Sequence, residues 1–218
     1  MKVKIRIPES LDDIKLKDFQ KYAKAEAEEF SQDDLKLKMV QYFCGLKVPD
    51  IRAIKASDME SIIDDLSAVF LQKKDFIKSF EYAGVEYGFI PDLENISFGE
   101  YIDLNTYLSD VDTIHKAMAV MYRPIVLRSK DMYLIEEYET ADKYADVMKE
   151  APVSAYLGSQ VFFYNLGKEL LRATASFLEG EIMVNLELQQ IFRESGAGIP
   201  QFMQLLKGSF GDSLWSLN

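Results

Sequence analysis

The sequence predicts a mainly α-helical fold carrying a small antiparallel β-sheet (α+β), and three observations predict it. Apolar residues recur at helical spacing behind capping residues in several stretches. Between them, "FIKSFEYAGVEYGFIP" (Phe76–Pro91) switches to branched and aromatic residues around Ala83-Gly84, the pattern of a hairpin. After Pro152 comes the longest apolar stretch, which supplies a central, enclosed helix. A chain of 218 residues, 48% of them hydrophobic, is long enough to bury a core without disulfide or metal staples.

The elements follow in order. Val3, Ile5 and Ile7 alternate with Lys2, Lys4 and Arg6, which reads as a half-buried strand ended by Pro8. An isolated hairpin is marginal, so this N-terminal strand is expected to join the later one. Phe19, Tyr22, Ala23, Ala27 and Phe30 mark a helix over Lys17–Phe30. "SQDD" from Ser31 opens a second helix through Phe43, and Gly45 ends it. "SDME" from Ser57 is a full capping box, followed by Ile62, Ile63, Leu66, Val69 and Phe70 on one face. The hairpin strands fall near Ile77–Tyr82 and Val85–Ile90. A helix then runs to about Tyr122, where Pro124 stops it. "IVLRSKDMYLIEEY" is compatible with a second short hairpin, and Thr140 caps a helix through Met148. The apolar helix from Pro152 to about Glu179 carries Leu157, Val161, Phe162, Tyr164, Leu166, Leu170 and Leu171, which cover nearly all its faces. Another helix spans about Glu181–Arg193, and "SGAGIP" is a flexible break. The expected organisation is one domain over 1–195 and a C-terminal segment over 196–218 that docks on its own domain or on a neighbour.

Composition narrows the function. The 36 acidic and 25 basic residues leave a net charge of −11, which argues against sequence-specific nucleic-acid binding. The longest uncharged stretch, Val153–Gly167, falls short of the roughly 20 apolar residues of a membrane span. The N-terminus has no signal-peptide core, so synthesis in the cytoplasm is expected. One cysteine, Cys44, excludes an intrachain disulfide, and its place between aromatics and Gly45 suits a buried structural thiol. With His115 as the single histidine, the common zinc sets are excluded within the chain. No nucleophile elbow, zincin motif or Walker loop is present, and "GAGIPQ" lacks the final glycine of a dinucleotide fingerprint. No catalytic residue, metal ligand or cofactor is assigned.

Carboxylates alone remain, and they concentrate in "FIPDLENISFGEYIDLNTYL" (Phe89–Leu108). Ser97 and Glu100 stand three apart before an apolar run, the spacing of a capping box. Ile96 and Tyr101 take the staple positions on either side. Asp103 is expected on the exposed face of the first turns. The stretch therefore reads as a strand-to-helix joint. Asp92 and Glu94 are left as candidate interface residues, together with Phe202, Leu205, Leu206 and Trp215 in the tail.

"GVEYGFIPDLENISFGEYIDLNTYL", then "HKAMAVMYRPI" and "APVSAYLGSQVFFYNLGKELL", together resemble a family of proteins encoded by crAss-like tailed bacteriophages of gut Bacteroidales. The order of an initial strand, "IP" and "KLKDFQKY" also fits, and the likeness covers about Met1–Leu178. The resemblance implies a non-enzymatic structural protein of the virion, in some members a cargo protein carried in the head or tail and delivered during infection. Its implied partners are other virion proteins such as portal or tail components, and a homo-oligomer such as a ring. The alternatives are a cytoplasmic phage assembly chaperone that binds tail or head proteins and, last, a carboxylate-dependent enzyme.

Overall fold

In a computed structural model, the structure describes residues 5–28, 30–93, 95–166 and 168. The chain divides into two compact units, Met1–Gly158 and Ser159–Asn218. The first holds α1 (Leu16–Ala27), α2 (Gln32–Phe43), α3 (Val48–Arg52), α4 (Ala56–Leu71), β1 (Ser79–Tyr82) and β2 (Val85–Phe89). It continues with α5 (Phe98–Tyr107), α6 (Ile114–Met121), β3 (Tyr122–Ser129), β4 (Met132–Ile135) and α7 (Asp142–Met148). A last helix, α8 (153–166), begins in this unit. The fold is thus mainly helical with one four-stranded antiparallel sheet in the order β1-β2-β3-β4.

The predicted first hairpin is present, with Ser79 paired to Gly88 and Tyr82 to Val85. Its two-residue turn has Ala83 at φ 52° and Gly84 at φ 79°, the double positive φ that matches the twist of antiparallel strands. The second hairpin also forms, around Lys130-Asp131. Among the described residues the third strand of the sheet is β3, and the described part of the chain start adds none. Residues 5–8 carry no strand assignment, and Val3 lies outside the described residues. The reason is local. The described start turns at once into a 3-10 turn, Leu11–Asp13, whose Asp13 carboxylate accepts from the Glu9 and Ser10 amides. From there it is held to a distant segment. Leu16 N–H donates to Ala151 O, Val153 N–H to Ile14 O, and Lys15 bridges Pro152.

Helix termini test the capping arguments one by one. Ser31 caps α2 through the Asp34 amide, and α2 ends just before Gly45. The box expected at Ser57 does not form. α4 starts two residues earlier than that box requires, at Ala56 with Lys55 as N-cap and no side-chain cap, and the Ser57 hydroxyl donates to Asp58. The short helix α3, which the periodicity did not reveal, brings the chain into α4 through a tight turn and fixes that start. Thr140 does not cap α7 with its hydroxyl either; its carbonyl receives the Lys143 amide. The helix expected to run to Tyr122 is broken in two. Ser109 donates to Thr106 O, Thr113 donates to Tyr107 O, and Asp110 accepts from the Asp112 amide. These short polar side chains compete with the helical ladder and turn the chain between α5 and α6.

The core of this unit contains Ile14, Leu16, Val40, Leu66, Met118, Met121, Tyr122, Met148 and Val153. Two runs of aromatic rings line it. Tyr22, Phe43, Phe70, Phe19 and Tyr156 follow one another at 5.2–6.4 Å between centroids. Phe76, Phe89, Tyr122, Phe80 and Tyr87 form the second, at 4.9–5.7 Å. α8 is enclosed at its start: residues 155–160 are all buried. A Cβ at Gly158 would lie 2.2 Å from the Asp75 carbonyl oxygen, so only glycine permits this backbone approach. The enclosure does not extend along the whole helix. Val161, Phe162 and Leu166 are half-buried and Tyr164 is exposed, while Leu170 and Leu171 lie outside the described residues.

Candidate interaction surface

Ser97 and Glu100 form the capping box that their spacing predicts. The Ser97 hydroxyl accepts from the Glu100 amide at 3.2 Å, and the Glu100 carboxylate accepts from the Ser97 amide at 2.7 Å. Glu100 has a second role. It is buried, and its other oxygen lies 2.7 Å from Nη2 of Arg123, which is buried too. Burial pushes the Glu100 carboxyl up, but the Ser97 hydrogen bonds and the Arg123 guanidinium outweigh it and hold it below the usual carboxylate range. Arg123 is the second residue of β3, and its guanidinium carbon lies 5.4 Å from the centre of the Tyr138 ring. Its Nε and Nη1 are buried and without a hydrogen-bond partner among the described residues. The Tyr138 hydroxyl donates to Asp103, so Asp103 is tied inward and is not a free surface charge.

Ile96, the expected staple residue, is half-buried, and Tyr101 is exposed. Asp92 is exposed and accepts from the Asn95 side-chain amide at 2.7 Å, inside its own turn. Glu94, Phe202, Leu205, Leu206 and Trp215 lie outside the described residues. The pair Glu100–Arg123 was missed by sequence reasoning. The available signal was Arg123 in the uncharged run "AMAVMYRPI", where an arginine among core residues calls for a buried partner.

A cleft of about 770 Å³ opens beside β1, lined by Ile14, Tyr42, Phe43, Cys44 and Phe80. Two ion pairs line it, Lys15 with Glu150 at 2.7 Å and Arg6 with Asp13 at 3.4 Å. Burial pushes the Cys44 thiol up to about 11, so the thiolate is scarce at neutral pH. His115 is held down by burial and by Lys149 and Lys116, and its Nδ1 lies 3.2 Å from the Gln20 side-chain amide. Among the described residues no His, Cys, Asp and Glu cluster is placed to hold a metal, and no helix is long and apolar enough to cross a membrane.

The unbalanced surface lies elsewhere, on the β3–β4 hairpin. Val126, Leu127, Met132 and Leu134 are 57–75% exposed. Leu127 and Leu134 are cross-strand partners. Register fixes which face they occupy. Phe80 pairs with Tyr87 and Phe89 with Tyr122, so one face carries the core aromatics. Gly88 pairs with Arg123 on the other face, where the Tyr133 ring would touch a Cβ placed on Gly88 at 2.5 Å. Tyr133 pairs with Arg128, so Leu127 and Leu134 continue the aromatic face outward past its cover. α5 adds a second exposed apolar row, Phe98, Tyr101 and Ile102, at helical spacing. No protein-family model, curated protein or solved structure matches this chain.

Proposed function

We propose that this chain is a non-enzymatic structural protein of a crAss-like phage particle, carried as cargo in the head or tail and delivered during infection. The observation that carries the binding part of this reading is the β3–β4 arm, which holds Leu127, Met132 and Leu134 in solvent on the face that elsewhere forms the core, with Val126 exposed beside them at the register shift. Exposed contiguous apolar surface of this kind favours burial against another protein. The phage assignment is supported by the resemblance of "GVEYGFIPDLENISFGEYIDLNTYL" and the stretches that follow it. The partners proposed are other virion proteins, with portal or tail components first.

Mass spectrometry of purified particles tests the proposal. The expected result is this chain in several copies per particle. Its presence in complexes from infected lysates but absence from mature particles would replace the reading with an assembly chaperone.

A further inference from the structure

The two outer strands of the sheet are not alike. β1 is "SFEY", and its Glu81 places a charge on the edge; β4 is "MYLI", with none. Natural sheets protect outer strands with charge, proline or cover, because bare edges pair with other chains. β4 has no charge or proline within its span, and among the described residues no further strand pairs with it. The two-residue turn makes Ser129–Met132 and Leu127–Leu134 the hydrogen-bonded pairs of the hairpin. Antiparallel alternation therefore aims the backbone N–H and C=O of Tyr133 and Ile135 away from β3, at the edge that no described strand occupies.

We infer that β4 pairs antiparallel with β4 of a second copy of this chain, about a twofold axis at Tyr133. The inference rests on the reading of the arm as a binding surface and names its occupant. Sequence and geometry on the arm favour a second copy in this register. Tyr133 would exchange both backbone hydrogen bonds with its symmetry mate. Met132 would lie opposite Leu134 of the other copy, and Leu134 opposite its Met132, which joins the two exposed apolar faces. Lys130, exposed and without an ion-pair partner among the described residues, would stand opposite Glu136, which its own chain already engages through Lys143 and Tyr144, and beside Glu137, which is exposed and has no ion pair among the described residues. This happens twice by symmetry. The interface is isologous and closes at two copies, so the product is a dimer with an eight-stranded sheet and not a ring.

The test is sedimentation of the purified full-length chain over a concentration series, with Leu134→Lys and Lys130→Glu as variants. Both positions are exposed, and melting temperatures that match the parent's at dilutions where the parent is monomeric verify that the variants fold. The expected result is a concentration-dependent dimer that either variant weakens by tenfold or more. A monomer throughout, or a dimer indifferent to both variants, overturns the inference. Register is read by cross-linking in a Cys44→Ala background. Met132→Cys and Leu134→Cys chains should form an intermolecular disulfide on mixing, because they face each other as a non-hydrogen-bonded pair. Cross-linking of either chain with itself, and none on mixing, overturns the register. A monomeric chain that is still found in virions removes the self-pairing and leaves the structural role standing.

Discussion

The two ends of β3 are opposites. At Tyr122 and Arg123 the strand is buried; from Leu127 to Ser129 it is exposed. The inner end is fixed by polar matching inside the protein. Tyr122 donates to Ile77 O at 2.6 Å, and Arg123 pairs with Glu100 beneath the start of α5. The outer end has apolar side chains and no cover among the described residues. Between them the register shifts at Ile125–Leu127, just after Pro124, which has no amide to give to the ladder. The difference teaches that one strand can serve both stability and recognition. Its inner third is committed to the fold, and its outer half is free for something else.

The largest expected effect breaks the inner end. Arg123→Met strands a buried carboxylate, and the loss should be about 3–5 kcal/mol in denaturant melts. The same pair sets an acid response. Glu100 is held below its ordinary value in the folded state, so its contribution is complete above about pH 4.5 and is lost as pH falls through the depressed folded value. Glu100→Gln should therefore flatten the fall of melting temperature between pH 5 and pH 3, relative to the parent. An equal slope in both proteins would assign the acid response to other carboxylates.

Next in size is the link between the two ends. Gly88→Ala would push a methyl into Tyr133 and Ile125, at 2.5 and 2.9 Å, and release the Tyr133 hydroxyl from Lys78 O and Phe89 O. Overpacking of this kind costs about 1–3 kcal/mol, readable by thermal melting. Ser97→Ala removes the cap that aligns Glu100 with Arg123 and should cost about 1 kcal/mol. The smallest effect belongs to the outer end. Leu134→Lys should leave monomer stability within about 0.5 kcal/mol, because that side chain already faces water. A large loss there would mean that the arm is part of the folded core.

The legibility of the sequence followed the range of the interactions. The cap at Ser97, the start of α2 at Ser31 and the turn at Ala83-Gly84 depend on residues within four of each other, and they stand where local chemistry places them. The cap expected at Ser57 obeyed the same chemistry and failed, because the turn out of α3 had already set the start of α4. The break between α5 and α6 was written in Ser109, Asp110 and Thr113, whose competition with the helix was overlooked.

By itself, the sequence determined the mainly helical class, the first hairpin and the role of the joint at Ser97–Glu100, since short-range hydrogen bonding and side-chain period decide these; the second hairpin was only compatible with its stretch. Tertiary structure alone decided that β3 and not the chain start sits beside β2, and that Glu100 meets Arg123. It also decided that Leu127 and Leu134 fall on the core face beyond the core. Those outcomes depend on register and on packing between residues far apart in the chain, and a single-residue shift of register would exchange the buried face for the exposed one.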